Sequence, residues 1–224
     1  MEDDAGRADE RRRFVLLAAT ALLVALFSSP ASQLLNEYLR SEHDYSALRI
    51  TMFTVLTNTP GGIGVIVGGR LADVRGRRLV GAIGVGAGVG FTVLMYLGTG
   101  WWIWLWSLLG AVIGAAALPA LGVYGPELFR TSGRGRANGG LQVAGVVGAG
   151  VGLVAAGRLS ALYDGLPWAM ATLAIAPALV VLLILLFYPE TAHRELEDLN
   201  PGDTPPDDAS QDDDRALRDP DDAG

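Results

Sequence analysis

The sequence predicts an all-α membrane protein of six transmembrane helices, and three observations carry that expectation. Six windows contain no Asp, Glu, Lys, Arg or His: Phe14–Leu35, Ile50–Gly69, Leu79–Leu97, Trp101–Tyr124, Asn138–Gly157 and Trp168–Tyr188. Together they hold 126 of the 224 residues, and each comes close to the 20 or so apolar residues that a helix needs to cross the roughly 30 Å hydrocarbon core. Charge is confined to the ends and connections, so a composition 50% hydrophobic and 18% charged understates the segregation. Glycine, conversely, concentrates in the windows, 20 of 30 residues, as suits helices that associate by close backbone approach. A soluble enzyme, a nucleic-acid binder and a disordered scaffold are excluded.

Taken in order, residues 1–13 form a charged N-terminal segment whose Arg11-Arg12-Arg13 anchors the first span. The same triplet resembles a twin-arginine export signal, but the apolar stretch behind it is long enough to span and five more follow. The six spans (14–35, 50–69, 79–97, 101–124, 138–157 and 168–188) belong to one bundle, 14–194. The first carries Ser28, Ser29, Ser32 and Gln33, with Asn36 at its outer end. The second carries Thr51, Thr54, Thr57 and the helix-breaking run Asn58-Thr59-Pro60-Gly61-Gly62. The third has Gly84/Gly88 and Gly86/Gly90 at four-residue spacing, and Gly64/Gly68, Gly110/Gly114 and Gly148/Gly152 repeat that spacing elsewhere. Such ridges either pack helices within the unit or let the second and fifth spans slide against another six-helix half. The fourth span opens with Trp101-Trp102-Ile103-Trp104-Leu105-Trp106, an interfacial belt with Trp106 one turn further in, and contains Pro119. The fifth opens with Asn138 and Gln142, and the sixth holds Pro177. Residues 195–224 contain 12 of the 24 acidic residues and four prolines, a composition that buries no core and predicts a disordered acidic cytoplasmic tail.

Arginine sets the orientation. Fourteen of the 17 fall on the side holding both termini and the second and fourth connections; Arg40, Arg49 and Arg158 fall on the other. The positive-inside rule makes both termini cytoplasmic. Cysteine is absent and His43 and His193 lie far apart, so no metal site, no cofactor and no catalytic residue is expected. No carboxylate lies deep in any window, which leaves a proton relay without its usual carrier. The substrate-path candidates are Gln33, Asn36, Asn58, Trp106 and Gln142.

The second connection reads Gly69-Arg70-Leu71-Ala72-Asp73-Val74-Arg75-Gly76-Arg77-Arg78, which allows a tight reversal at Gly76. It resembles the signature loop of the major facilitator superfamily, with Val74 at a position usually basic. The fourth connection, Pro126-Glu127-Leu128-Phe129-Arg130-Thr131-Ser132-Gly133-Arg134-Gly135, is similar to the Glu-x-Phe-Pro…Arg-Gly pattern between helices 10 and 11 of that family. The segment Tyr188-Pro189-Glu190-Thr191, with Leu196-Glu197 behind it, resembles the ending of sugar-porter-like members.

The order of these motifs implies the second half of a twelve-helix transporter, a bundle of 3+3 inverted repeats that rocks against a second six-helix half. That half lies upstream in a longer reading frame, in a separate chain, or in another copy. By the same resemblance Gly69, Asp73, Gly76, Arg77, Arg78, Glu127, Arg134 and Glu190 form a cytoplasmic gate. Asp73 would meet a helix N-terminus of the partner bundle, Arg77 or Arg78 would pair with Glu127, and Arg134 with Glu190. The first and fourth spans would line the path of a small solute. Of the sugar-porter pattern only Gln33, Asn36 and Tyr38 remain, at compressed spacing, so metabolites, drugs and organic ions stay open. The expected protein is a multi-pass plasma-membrane transporter in contact with the lipid bilayer; the contrasting reading is a non-transporting remnant or interaction protein.

Overall fold

The computed structural model describes residues 2–122 and 134–187, and the side chains of 11–122 and 135–187. Among them six helical spans are long and apolar enough to cross a membrane. They are α1 (Arg11–Ser41), α2 (Ala47–Arg75), α3 (Arg77–Leu97), α4 (Trp101–Gly122), α5 (Gly135–Tyr163) and α6 (Leu166–Phe187). The described residues contain no strand. Several helices overrun the apolar windows: α1 reaches Ser41, α2 reaches Arg75 and α5 reaches Tyr163. Charge does not break a helix, because long basic side chains extend from its ends into water. For the same reason the N-terminal segment is no separate lead-in; it is helical from Glu2 and continuous with α1.

In α4 and α6 proline marks where the helix is interrupted, and the reason is local. A proline lacks the amide that would bond the carbonyl four residues earlier. With Pro119 and Pro177 those carbonyls belong to Ala115 and Leu173, the residues at which the first parts of α4 and α6 end. In α2 the expected break is a kink only. Thr59 and Pro60 keep right-handed helical dihedrals, and the amides of Gly62 and Ile63 bond the carbonyls of Thr59 and Pro60, three residues back, at 3.2 and 3.0 Å. The backbone tightens to a 3₁₀ turn instead of unwinding.

Six spans make two related halves. α1 packs on α5 and α6, α4 packs on α2 and α3, α2 meets α3 as α5 meets α6, and α3 meets α6. Exchanging α1 with α4, α2 with α5 and α3 with α6 turns this set into itself, which is the contact pattern of a 3+3 repeat. The glycines follow the same exchange. A Cβ on Gly148 or Gly152 of α5 would collide with the backbone of Leu22 or Leu26 on α1; one on Gly64 or Gly68 of α2 would collide with Val112 or Ala116 on α4. These ridges therefore pack inside the unit. Leu26 is also the residue whose carbonyl Pro30 leaves without an amide, so the orphaned oxygen lies against Gly152 and away from lipid.

A single apolar cluster ties all six spans at one end, with Phe27 and Tyr38 from α1, Phe53 from α2, Tyr96 from α3, Ile103 from α4, Ala156 from α5 and Met170 from α6. At the arginine-rich end smaller groups fill the core, including Leu17, Ala82, Ala137, Val180 and Ile184.

The glycine contacts give a direct prediction. Gly148→Ala and Gly152→Ala should each cost about 1–3 kcal/mol by overpacking, lowering the unfolding midpoint in detergent by about 2–4 °C per kcal/mol. Gly150→Ala, where a Cβ meets nothing within 4 Å, should leave the midpoint unchanged. Equal behaviour of the three variants would remove the α1–α5 contact from the account.

Candidate functional site

At the arginine-rich end α2 turns into α3 through one residue. Gly76 is buried at φ 98°, ψ 135°, a left-handed conformation that a side chain resists. Its amide donates to the carbonyl of Ala72 at 3.1 Å, and its carbonyl accepts from Val80 at 3.3 Å. Ala72, Val80 and Ala120 form a small buried cluster that seats the turn against α4. Gly69 lies one turn before Ala72, and a Cβ there would touch Pro119 only at ordinary distance.

The arginines beyond Gly76 separate. Arg77 lies 3.8 Å from Asp73, whose side chain is 71% exposed. Arg78 turns inward, half-buried, and its Nη2 donates to the carbonyl of Leu185. That carbonyl lies in the last described turn of α6, and four residues on the sequence has Pro189, which carries no amide, so the guanidinium supplies a donor. Arg78 is thus engaged with α6, and the pairing of Arg77 or Arg78 with Glu127 that the resemblance implies falls outside the described residues. Glu127 and Glu190 lie outside the described residues, as do the motifs around them and the acidic tail; Arg134 opens the α5 helix, with its side chain outside the description.

The substrate-path candidates divide by location. On α1, Ser28, Ser32 and Asn36 follow at four-residue spacing and are exposed, flanked by exposed Gln33, Glu37 and Arg40. The opposite face buries Phe27, Ala31, Tyr38 and Leu39. Gln33 donates from Nε2 to Ser29 Oγ at 2.7 Å, and Ser32 Oγ donates to the carbonyl of Ser29 at 3.0 Å. The polar groups therefore form one stripe on the surface of the bundle. Asn58 is exposed beside the α2 kink and Gln142 is exposed on α5. Among the described residues no hydrogen bond joins Gln33, Asn36, Asn58 or Gln142 to one another. Trp106 is stacked on Trp102 and on Phe91 of α3, 5.6 Å between ring centroids in each case, which places it in the α3–α4 seam.

The end opposite the arginines holds a polar clasp that the sequence left unnoticed. Tyr38 Oη donates to the carbonyl of Tyr96 at 2.7 Å, and Tyr96 Oη donates to that of Ala31 at 2.8 Å. Both acceptors are helix-end carbonyls, one near the end of α3 and one just before the interruption of α1 at Leu34. Because Tyr38 gives its proton to Tyr96, it accepts from His43 Nε2, 2.8 Å away. Glu42 Oε1 accepts from the amide of Leu166 at 3.3 Å, capping α6 at its positive end. Trp104 Nε1 donates to Tyr45 Oη at 3.2 Å, and the Arg49 guanidinium lies 3.8 Å over the Tyr45 ring. Tyr38, which the sequence grouped with Gln33 and Asn36, is a packing residue here. The available signal was positional: aromatic residues crowd the same end of α1, α3 and α4. Trp101 and Trp102 are 68% and 52% exposed, while Trp104 packs inward on Phe53.

The described residues contain no cluster of His, Cys, Asp or Glu able to hold a metal. Compared with known proteins, residues 14–210 match the family model described as Major Facilitator Superfamily. No match was found among curated proteins.

The turn and the α6 cap are separable by mutation. Gly76→Ala should cost about 1–3 kcal/mol through its disallowed backbone conformation. Arg78→Met should cost about 1–3 kcal/mol, because the half-buried Leu185 carbonyl loses its donor. Asp73→Asn, at an exposed site, should stay within about 0.5 kcal/mol of the parent. Thermal unfolding of the three variants in one detergent reads all three.

Proposed function

The chain belongs to the major facilitator superfamily, a family of membrane transporters, and from that premise we propose that it moves a small polar solute across the membrane by alternating access, together with a second six-helix half. The observation that carries this reading is the polar stripe on α1. Ser28, Ser32 and Gln33 fall inside the apolar window 14–35, with Asn36 just beyond it, yet all four are exposed on the surface of the bundle. An amide left unpaired in hydrocarbon costs several kcal/mol. The stripe is therefore stable only against water or protein, which a facing bundle and the cavity between supply.

The stripe also narrows the solute. Ser28, Ser32, Gln33 and Asn36 offer neutral donors and acceptors, and the first charges come at the outer end of the stripe, Glu37 directly after Asn36 and Arg40 one turn on. A neutral or zwitterionic solute with several hydrogen-bonding groups fits that set. Asn58 extends it from α2, and Gln142 offers a further amide on α5. No carboxylate lies inside the apolar windows, so proton coupling is assigned to the other half.

The arginine-rich end supplies the gate in this reading. Asp73 projects outward with Arg77 beside it, where a helix N-terminus of the facing half can engage its carboxylate. Glu127, Arg134 and Glu190 complete the gate by resemblance. The arginine-rich end faces the cytoplasm, with both termini there, in the plasma membrane. Single exposed ion pairs contribute about 0–1 kcal/mol, whereas moving an equilibrium from 1:99 to 99:1 takes about 5.5 kcal/mol. The gate works only as a network.

Reconstitution tests this reading. The chain alone should show no uptake in liposomes, and co-expression with its six-helix partner should restore it. In the restored system Gln33→Ala and Asn58→Ala should each weaken apparent solute affinity by roughly tenfold, one hydrogen bond's worth, and Asp73→Asn should shift access partially toward the inward-facing form. Single cysteines at Ser41 should react with an impermeant maleimide in intact cells and those at Ser132 should not. Robust uptake by the isolated chain, or unchanged kinetics in both amide variants, contradicts the reading.

A further inference from the structure

A furrow of about 280 Å³ runs between α2 and α3, with α4 as its floor. Ile63, Val67 and Leu71 form one wall, Leu79 and Ile83 the other. Its depth follows from the glycine contacts: Gly64, Gly68 and Gly84 bring α2 and α3 close onto α4, so no side chain from the first two helices fills the space. Arg75 closes the furrow at the arginine-rich end. From Ile63 to Arg75 is 12 residues, about 18 Å of helix. Half of the roughly 30 Å hydrocarbon core is about 15 Å. The furrow thus has the length of one leaflet, running from headgroup level to the midplane.

Charge distinguishes this furrow from ordinary lipid-facing surface. Arg77 is beside Asp73, and Arg78 is committed to the carbonyl of Leu185. Arg75 is exposed and has no carboxylate partner among the described residues. Its guanidinium therefore stands at the end of an apolar slot, six residues beyond the apolar window that ends at Gly69. A second groove, between α3 and α6 along Gly86, Gly90 and Val181, has no charged residue and discriminates no headgroup.

We infer that the α2–α3 furrow seats one acyl chain of an anionic diacyl phospholipid whose phosphate group pairs with Arg75. The inference is independent of any transported solute. A basic residue near the membrane surface favours anionic lipid by about 1 kcal/mol, roughly a fivefold preference.

Native mass spectrometry of the purified full chain, titrated with dioleoyl phosphatidylglycerol or dioleoyl phosphatidylcholine, tests it. Phosphatidylglycerol should bind roughly fivefold more tightly. Arg75→Gln should abolish that preference and Arg75→Lys should keep it. Ile83→Trp, which fills an exposed furrow position, should reduce phosphatidylglycerol binding, whereas Leu182→Trp, on exposed α6 surface, should not. Equal binding of the two lipids by the parent overturns the inference. So does a preference that survives Arg75→Gln, or equal loss in the two tryptophan variants.

Discussion

Between α5 and α1, and again between α2 and α4, helix backbones meet because two glycines one turn apart carry no side chain. In lipid this contact has little hydrophobic force behind it, since acyl chains are as apolar as leucine. What holds the helices is dispersion at short range, available only where nothing stands between the backbones. The α1–α5 seam adds a polar reason. Pro30 deprives the carbonyl of Leu26 of its amide, and that oxygen sits on Gly152. The glycine thus covers a group that hydrocarbon would leave unsatisfied. The repeat of the seam in the other three helices makes one packing solution serve the whole bundle.

With the seams fixed, the two ends of the bundle take different chemistry. One end is closed by aromatic side chains whose hydroxyls satisfy orphaned helix-end carbonyls, and Glu42 caps the start of α6. The other is closed by a glycine turn, and Arg78 caps the end of α6. α6 is therefore held at both ends by the charge that its dipole favours. α1, in contrast, leaves its serines, Gln33 and Asn36 outside the core. In the proposed mechanism that division is useful: a firmly tethered rear helix supports a front helix that faces the solute.

Most of the fold was legible because transmembrane spans announce themselves by the absence of charge, and the described part of each window falls on one of the six spans. Gly76 was legible for a similar reason: a single glycine between two helical runs leaves little other use for it. The turn at Pro60 was harder, since a 3₁₀ turn carries the helix on past the proline, and composition cannot distinguish that from unwinding. The packing role of Tyr38 stayed hidden because spacing along α1 does not reveal that its hydroxyl reaches 58 residues ahead to Tyr96. The bond from Arg78 to Leu185 was equally hidden, since a backbone carbonyl carries no sequence signature. Non-local pairing to backbone is the part of a site that a single sequence does not encode visibly.

The account stands or falls on whether the polar stripe of α1 meets water while equally exposed apolar faces meet lipid. Nitroxide labels at Ser32 and at Leu182, in protein reconstituted in bilayers with its partner half, measure this through their accessibility to a water-soluble nickel chelate and to oxygen. The Ser32 label should respond mainly to the chelate and the Leu182 label mainly to oxygen. A Ser32 label that behaves like the Leu182 label would place the stripe in lipid and contradict the reading of α1 as the wall of a solute path.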